Sequence, residues 1–151
     1  MRISFARTVL IFLAFACLAG AVAGQETEPG LIPNPVLAFV GQEFYEAGGK
    51  QFTRYRYTVD NLAEYPNELF APSPALPACG RNTNASRTWV DVFDQTGRRL
   101  NGFCALANHD GLNGIWFAMV RDEIPPSWVY IELTDRQTST KYKSSLAETT
   151  L

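Results

Sequence analysis

Histidine is nearly absent from this 151-residue chain, where His109 stands alone, and cysteine is scarce, with only Cys17, Cys79 and Cys104. A closed zinc site needs four nitrogen or sulfur ligands, and no C-x-x-C pair is present to begin one, so zinc and thiol-redox chemistry are disfavoured from the start. Basic clusters are missing as well. Thirteen Lys and Arg are scattered among fifteen Asp and Glu, a balance that argues against nucleic acid or an anionic membrane surface as partner. The longest apolar run, Val9 to Ala19, stops at Gly20 and leads into Gln25-Glu26-Thr27-Glu28, well short of the roughly 20 apolar residues that a membrane-spanning helix requires.

That run does have the three parts of an export signal: Arg2 and Arg7, then the apolar stretch, then Ala21-Val22-Ala23 as a small-x-small cleavage site. Residues 1–23 are therefore expected to be a signal peptide and the mature protein to be secreted or periplasmic. An uncleaved anchor and a lipoprotein signal at Cys17 are the alternatives, but Ala14-Phe15-Ala16 lacks the Leu usual three positions before a lipidated cysteine. Cleavage leaves roughly 125 residues, enough for one core and one domain. The mature net charge becomes −4, because Arg2 and Arg7 leave 11 basic residues against 15 acidic ones. Only Cys79 and Cys104 remain, and in an oxidising compartment such a pair is expected to close into a disulfide. The ring of about 25 residues is worth roughly 3 kcal/mol through the entropy that it removes from the unfolded chain.

Residues 24–35 carry Glu26, Glu28, Pro29, Gly30, Pro33 and Pro35 and read as an extended, mobile lead-in, with the folded domain spanning 36–151. From Val36 onward the apolar residues recur mainly every second position, the period of a β-strand. Tyr55, Tyr57 and Val59 fall on one face of a strand, with Arg54, Arg56, Thr58 and Asp60 on the other. Trp89–Phe93 and Leu100–Leu106 flank the turn-forming Asp94-Gln95-Thr96-Gly97 and read as a hairpin. Further strands are expected at 36–44, 115–120, 129–133 and 141–146, about seven in all. That number of short strands with turns between them predicts an all-β fold, a sandwich of two antiparallel sheets. Residues 62–86, with Pro66, Pro72, Pro74 and Pro77, interrupt the pattern with a long loop that Cys79 would pin to the strand carrying Cys104.

Val129-Tyr130-Ile131-Glu132-Leu133-Thr134-Asp135, followed by a turn and Tyr142-Lys143-Ser144, resembles the closing hairpin of fibronectin type III and other immunoglobulin-like domains. Trp89, at the head of a central strand, is similar to the buried tryptophan of immunoglobulin domains. The resemblance implies an immunoglobulin-like antiparallel sandwich; it does not extend to the disulfide, whose cysteines are not on the strands that immunoglobulin domains bridge. A second stretch, Leu69–Gly80 with Asn82–Asp91, is similar to a segment of uncharacterised secreted bacterial proteins, which implies export and a shared fold but no activity.

Candidate chemistry is thin. His109 lies in the turn-like Asn108-His109-Asp110-Gly111-Leu112-Asn113-Gly114, where a hydrolase would need Asp110 and a hydroxyl from Ser73, Ser86 or Ser127. The oxygens of Asn108, Asp110 and Asn113, with Asp122-Glu123 nearby, suit calcium but lack the acidic series of an EF-hand loop. Asn84-Ala85-Ser86 is a glycosylation sequon, used only in a eukaryotic host. Trp89 and Trp116 sit within strong strand runs and are expected to be buried. Trp128, at a strand entrance after Pro125-Pro126-Ser127, together with Tyr65, Phe70 and Arg81 on the pinned loop, are the candidate ligand-binding residues. The chain is thus expected to be a noncatalytic binding module without a cofactor, recognising a protein or glycan at the cell surface through its pinned loop. A small hydrolase using His109 and a structural component of an envelope assembly, pairing through edge strands, are the alternatives.

Overall fold

The computed structural model describes residues 32–79, 86–104 and 108–149. The expected signal peptide, Arg81 and Asn84 lie outside the described residues. Among these residues eight strands are present: β1 (Leu37–Ala47), β2 (Lys50–Val59), β3 (Thr88–Asp94), β4 (Arg99–Cys104), β5 (Ile115–Val120), β6 (Trp128–Asp135), β7 (Thr140–Lys143) and β8 (Ala147–Glu148). They form two antiparallel sheets, one ordered β1-β2-β5 and the other β4-β3-β6-β7, with β8 also paired to the start of β6. The two-residue β8 is the strand that periodicity alone does not reveal.

Alternation places the core. Tyr55, Tyr57 and Val59 of β2 with Ile115 and Phe117 of β5 line the inner face of the smaller sheet; Val90 and Val92 of β3 with Val129, Ile131 and Leu133 of β6 line the larger one. The two sets form a single buried cluster, and each fully buried side chain of this size stabilises the fold by about 1.5–3 kcal/mol. Tyr55 and Tyr57 stack on Phe117 at centroid distances of 4.9 and 6.1 Å, and burial pushes the Tyr57 hydroxyl up to about 12.

Two buried aspartates fix the ends of β3. Asp94 accepts hydrogen bonds from the backbone N–H of Thr96 and Arg98, the Thr96 hydroxyl and the Arg98 guanidinium, which closes the β3–β4 turn around Gly97 at φ 87°. At the other end Asp135 accepts both Nε and Nη2 of Arg87, the N–H of Gln137 and the Thr138 hydroxyl. These donors hold both carboxyls at about 2, below the ordinary 3.8, with the Thr96 hydroxyl the leading cause for Asp94 and Arg87 for Asp135.

The end of the expected lead-in is docked rather than free. Ile32 packs on the core, Pro35 is buried, and the Asn34 and Pro33 carbonyls accept hydrogen bonds from Asn61 Nδ2 and the Tyr65 hydroxyl. These contacts tie backbone that composition alone marks as mobile.

Candidate functional site

The disulfide joins Cys79 to Cys104. The Arg136 guanidinium reinforces that corner by donating to the Pro77 carbonyl (2.7 Å) and the Ser86 carbonyl (2.9 Å). The loop before Cys79 does not, however, display its aromatic residues. Two 3₁₀ turns, at Leu62–Glu64 and Asn67–Leu69, fold it inward. Tyr65 is 2% exposed and Phe70 is 0% exposed. Their rings meet edge to face at 6.3 Å, and the Tyr65 hydroxyl, its pKa raised by burial, donates to the Pro33 carbonyl at 2.7 Å. The expectation that Tyr65 and Phe70 meet a ligand is corrected: the sandwich leaves a gap that this loop fills, and filling it with aromatic rings stabilises the fold more than exposing them.

The tryptophans differ from expectation as well. Trp116 is exposed on the outer face of the smaller sheet, and Trp89 is half-buried on the outer face of the larger one, so neither is a core tryptophan. Trp128 is 41% exposed, as its place at the strand entrance suggests. Most outer-face rings carry a cation. The Arg54 guanidinium lies 4.9 Å from Tyr45 and 4.7 Å from Trp116 while pairing with Glu43 at 2.6 Å. Arg99 lies over Trp89 and pairs with Asp91, and Lys143 lies over Tyr130 at 4.1 Å. These cations shield ring faces that a sugar would need for stacking.

His109 begins a 3₁₀ segment, His109–Gly114. Its Nε2 lies 3.6 Å from Asp110, and its Nδ1 has no hydrogen-bond partner among the described residues. Ser86, one of the proposed nucleophiles, spends its hydroxyl on the backbone of Thr88. Nearby, Asn113 Oδ1 accepts from Thr58 of β2 and Asp110 Oδ2 accepts from Asn108, so two of the oxygens suited to calcium already have hydrogen-bond donors. Among the described residues no group of three His, Cys, Asp or Glu side chains converges on one point.

The feature that stands out is the β1–β2 arm. These strands run past the end of their neighbour β5, whose Val120 pairs with Phe52, and turn through Gly48 and Gly49 at φ 60° and 72°. Positive φ at both central positions is a type I′ turn, the two-residue hairpin connection that Gly-Gly favours. β1 stands at the margin of its sheet, and among the described residues no strand pairs with its outer side. A bulge between Phe39 and Gly41 twists the strand there, and beyond it Gln42, Phe44 and Glu46 are exposed. Phe44 is 60% exposed, with the Arg121 guanidinium 4.8 Å from its ring centroid. Arg121 is held in turn by Gln51 through a 2.8 Å side-chain bond and a 3.0 Å backbone bond. Phe44, Tyr45, Glu46, Gln51 and Arg121 line an open depression of about 210 Å³.

Hydrogen-bond phase determines what the edge offers. The Gln51 carbonyl bonds Arg121 on the β5 side, so Gln51 and its β1 partner Glu46 are a non-hydrogen-bonded pair. Glu46, and with it Phe44 and Gln42 at a spacing of two, therefore turn their backbone N–H and C=O groups outward. An exposed apolar ring, a held guanidinium and a row of unused backbone groups lie together on one edge. That is the arrangement that accepts an added strand.

Comparison of this chain with protein-family models, with curated proteins and with solved structures found no match.

Proposed function

We propose that this chain is an exported, noncatalytic binding module that engages a protein partner by adding an extended segment to the edge of β1. The observation that carries this reading is the edge itself: Gln42, Phe44 and Glu46 direct backbone groups outward beside a Phe44 ring that is 60% exposed. Main-chain bonds supply affinity in such recognition, and pockets for alternate side chains supply selectivity. The depression beside Phe44 offers one such pocket. The disulfide supports export to an oxidising compartment, secreted or periplasmic.

The fold is read as immunoglobulin-like. In support, β1-β2-β5 and β3-β6-β7 follow the orders A-B-E and C-F-G of that architecture, with β4 as an additional edge strand beside β3. The pinned loop serves as scaffold, since Tyr65 and Phe70 belong to the core. A glycan ranks second as partner, because among the described residues no cation lies over the Trp128 ring while Trp89 and Trp116 both carry one.

The test is a screen of displayed extended peptides against the wild-type protein and Phe44→Pro. The Phe44 N–H points away from β2, so proline removes a donor from the edge while sparing the β1–β2 ladder. A selected peptide should protect the amides of Gln42, Phe44 and Glu46 from exchange and lose about tenfold or more in affinity to Phe44→Pro. Ligands that map to Trp128 and bind both proteins equally contradict the reading.

A further inference from the structure

We propose that the partner seated on β1 is a second copy of this chain, its own β1 lying antiparallel about a two-fold axis that passes through Phe44. This rests on the strand-addition reading above and adds the identity and register of the partner.

Backbone phase limits the possible registers. A two-fold antiparallel pair centred on Phe44 sets outward-facing residues against outward-facing residues: Phe44 against the partner's Phe44, Gln42 against the partner's Glu46, and Glu46 against the partner's Gln42. Each hydrogen-bonded pair exchanges two backbone bonds, so the three pairs supply about six. Shifting the axis to Glu43 would carry Glu46 onto the partner's Val40, inside the bulge that interrupts the strand between Phe39 and Gly41. Shifting it to Tyr45 would set the Phe44 ring against the partner's Glu46 and carry Gln42 onto the partner's Gly48, inside the turn. Of these three registers, that at Phe44 keeps all three outward pairs between the bulge and the turn.

Side chains agree with the backbone. In that register the two Phe44 rings, each exposed in the single chain, meet across the axis as an aromatic cross-strand pair. On the opposite face Tyr45 lies across from the partner's Glu43, and in each chain Glu43 already has its charge answered by Arg54 at 2.6 Å. The symmetry is closed, since the same patch serves both copies, and the result is one continuous sheet of two β5-β2-β1 halves rather than an open fibre. One strand edge and its flanking side chains make a small interface, which places the dimer at the weak, reversible end of protein association.

The experiment is sedimentation of the exported protein over a concentration series from about 10 μM to about 1 mM, a range suited to a weak interface. The wild type should pass reversibly from monomer to dimer. Phe44→Asp, which sets two carboxylates together at the axis, should remain monomeric with an unchanged melting temperature, because Phe44 lies outside the core. Gln42→Lys sets an ammonium against the partner's Glu46 at two symmetric places and should tighten the dimer about three- to tenfold. It has no such effect in a register that places Gln42 against the turn. A wild type that stays monomeric across the series, or a dimer indifferent to both substitutions, overturns the proposal. Amide exchange in dilute protein separates the two levels: open amides at Gln42, Phe44 and Glu46 without dimerisation overturn self-pairing alone, whereas protected amides there overturn strand addition as well.

Discussion

Asp135→Asn tests how far one buried carboxylate holds the larger sheet together. Asp135 is 3% exposed and accepts four hydrogen bonds, two of them from Arg87. Its pKa lies at about 2 in the folded chain against an ordinary 3.8. A difference of that size corresponds to about 2 kcal/mol of stability, present when the carboxylate is ionised in both states. The sign follows from proton uptake. Between these two values the unfolded chain binds a proton that the folded chain refuses, so the contribution is complete above about pH 4 and is lost as pH falls toward 2 and through it. Asp94 is lowered in the same way and adds a second such contribution. Urea unfolding measured at intervals from pH 7 to pH 2 should therefore show wild-type stability falling steeply below pH 4. Asp135→Asn should begin about 2 kcal/mol lower at pH 7 and then fall less steeply, its deficit shrinking toward acid because the asparagine has no proton to take up. A variant curve that runs parallel to the wild type through this window refutes the argument.

Other outcomes follow from the same packing. Replacing Cys79 and Cys104 by Ala should cost about 3 kcal/mol in chemical unfolding, the loop-closure value for a 25-residue separation. Tyr65→Ala should cost about 3–5 kcal/mol as a core truncation, whereas Tyr65→Phe, which loses only the bond to the Pro33 carbonyl, should cost about 1 kcal/mol by the same assay. Gly102→Ala would place its Cβ against the Arg99 guanidinium and Asp91, so Arg99 should leave Trp89, altering tryptophan fluorescence while changing stability by less than about 1 kcal/mol, as an exposed ion pair predicts.

Local pattern and tertiary order were unequally legible in the chain. The alternation of Tyr55, Tyr57 and Val59 against Arg54, Arg56 and Thr58 reads directly as β2, because a strand with one buried face writes its period into sequence. Asp94-Gln95-Thr96-Gly97 reads as a turn for an equally local reason, an aspartate able to accept its own loop's N–H groups and a glycine free to take positive φ. Tyr65 and Phe70 were misjudged because proline-rich 3₁₀ turns carry no period, and their burial depends on a gap between sheets that only the assembled fold creates. The tryptophans show the same limit from the other side: Trp116 occupies a strong strand, but the face it takes depends on register with β2. The open β1 edge lay furthest from view. The Gly48-Gly49 turn does not figure among the sequence expectations, and that β1 lies at the margin of a three-stranded sheet is a fact about strand order, which no single segment encodes.

The most direct test of the account is residue-resolved amide exchange across β1 in dilute, monomeric protein. If the edge is open, the amides of Gln42, Phe44 and Glu46 exchange near unprotected rates while those of Glu43 and Tyr45, bonded to β2, exchange far more slowly, an alternation with a period of two. Uniform protection from Gln42 to Glu46 would mean that the edge is already paired within the chain, and strand addition at β1 would be contradicted.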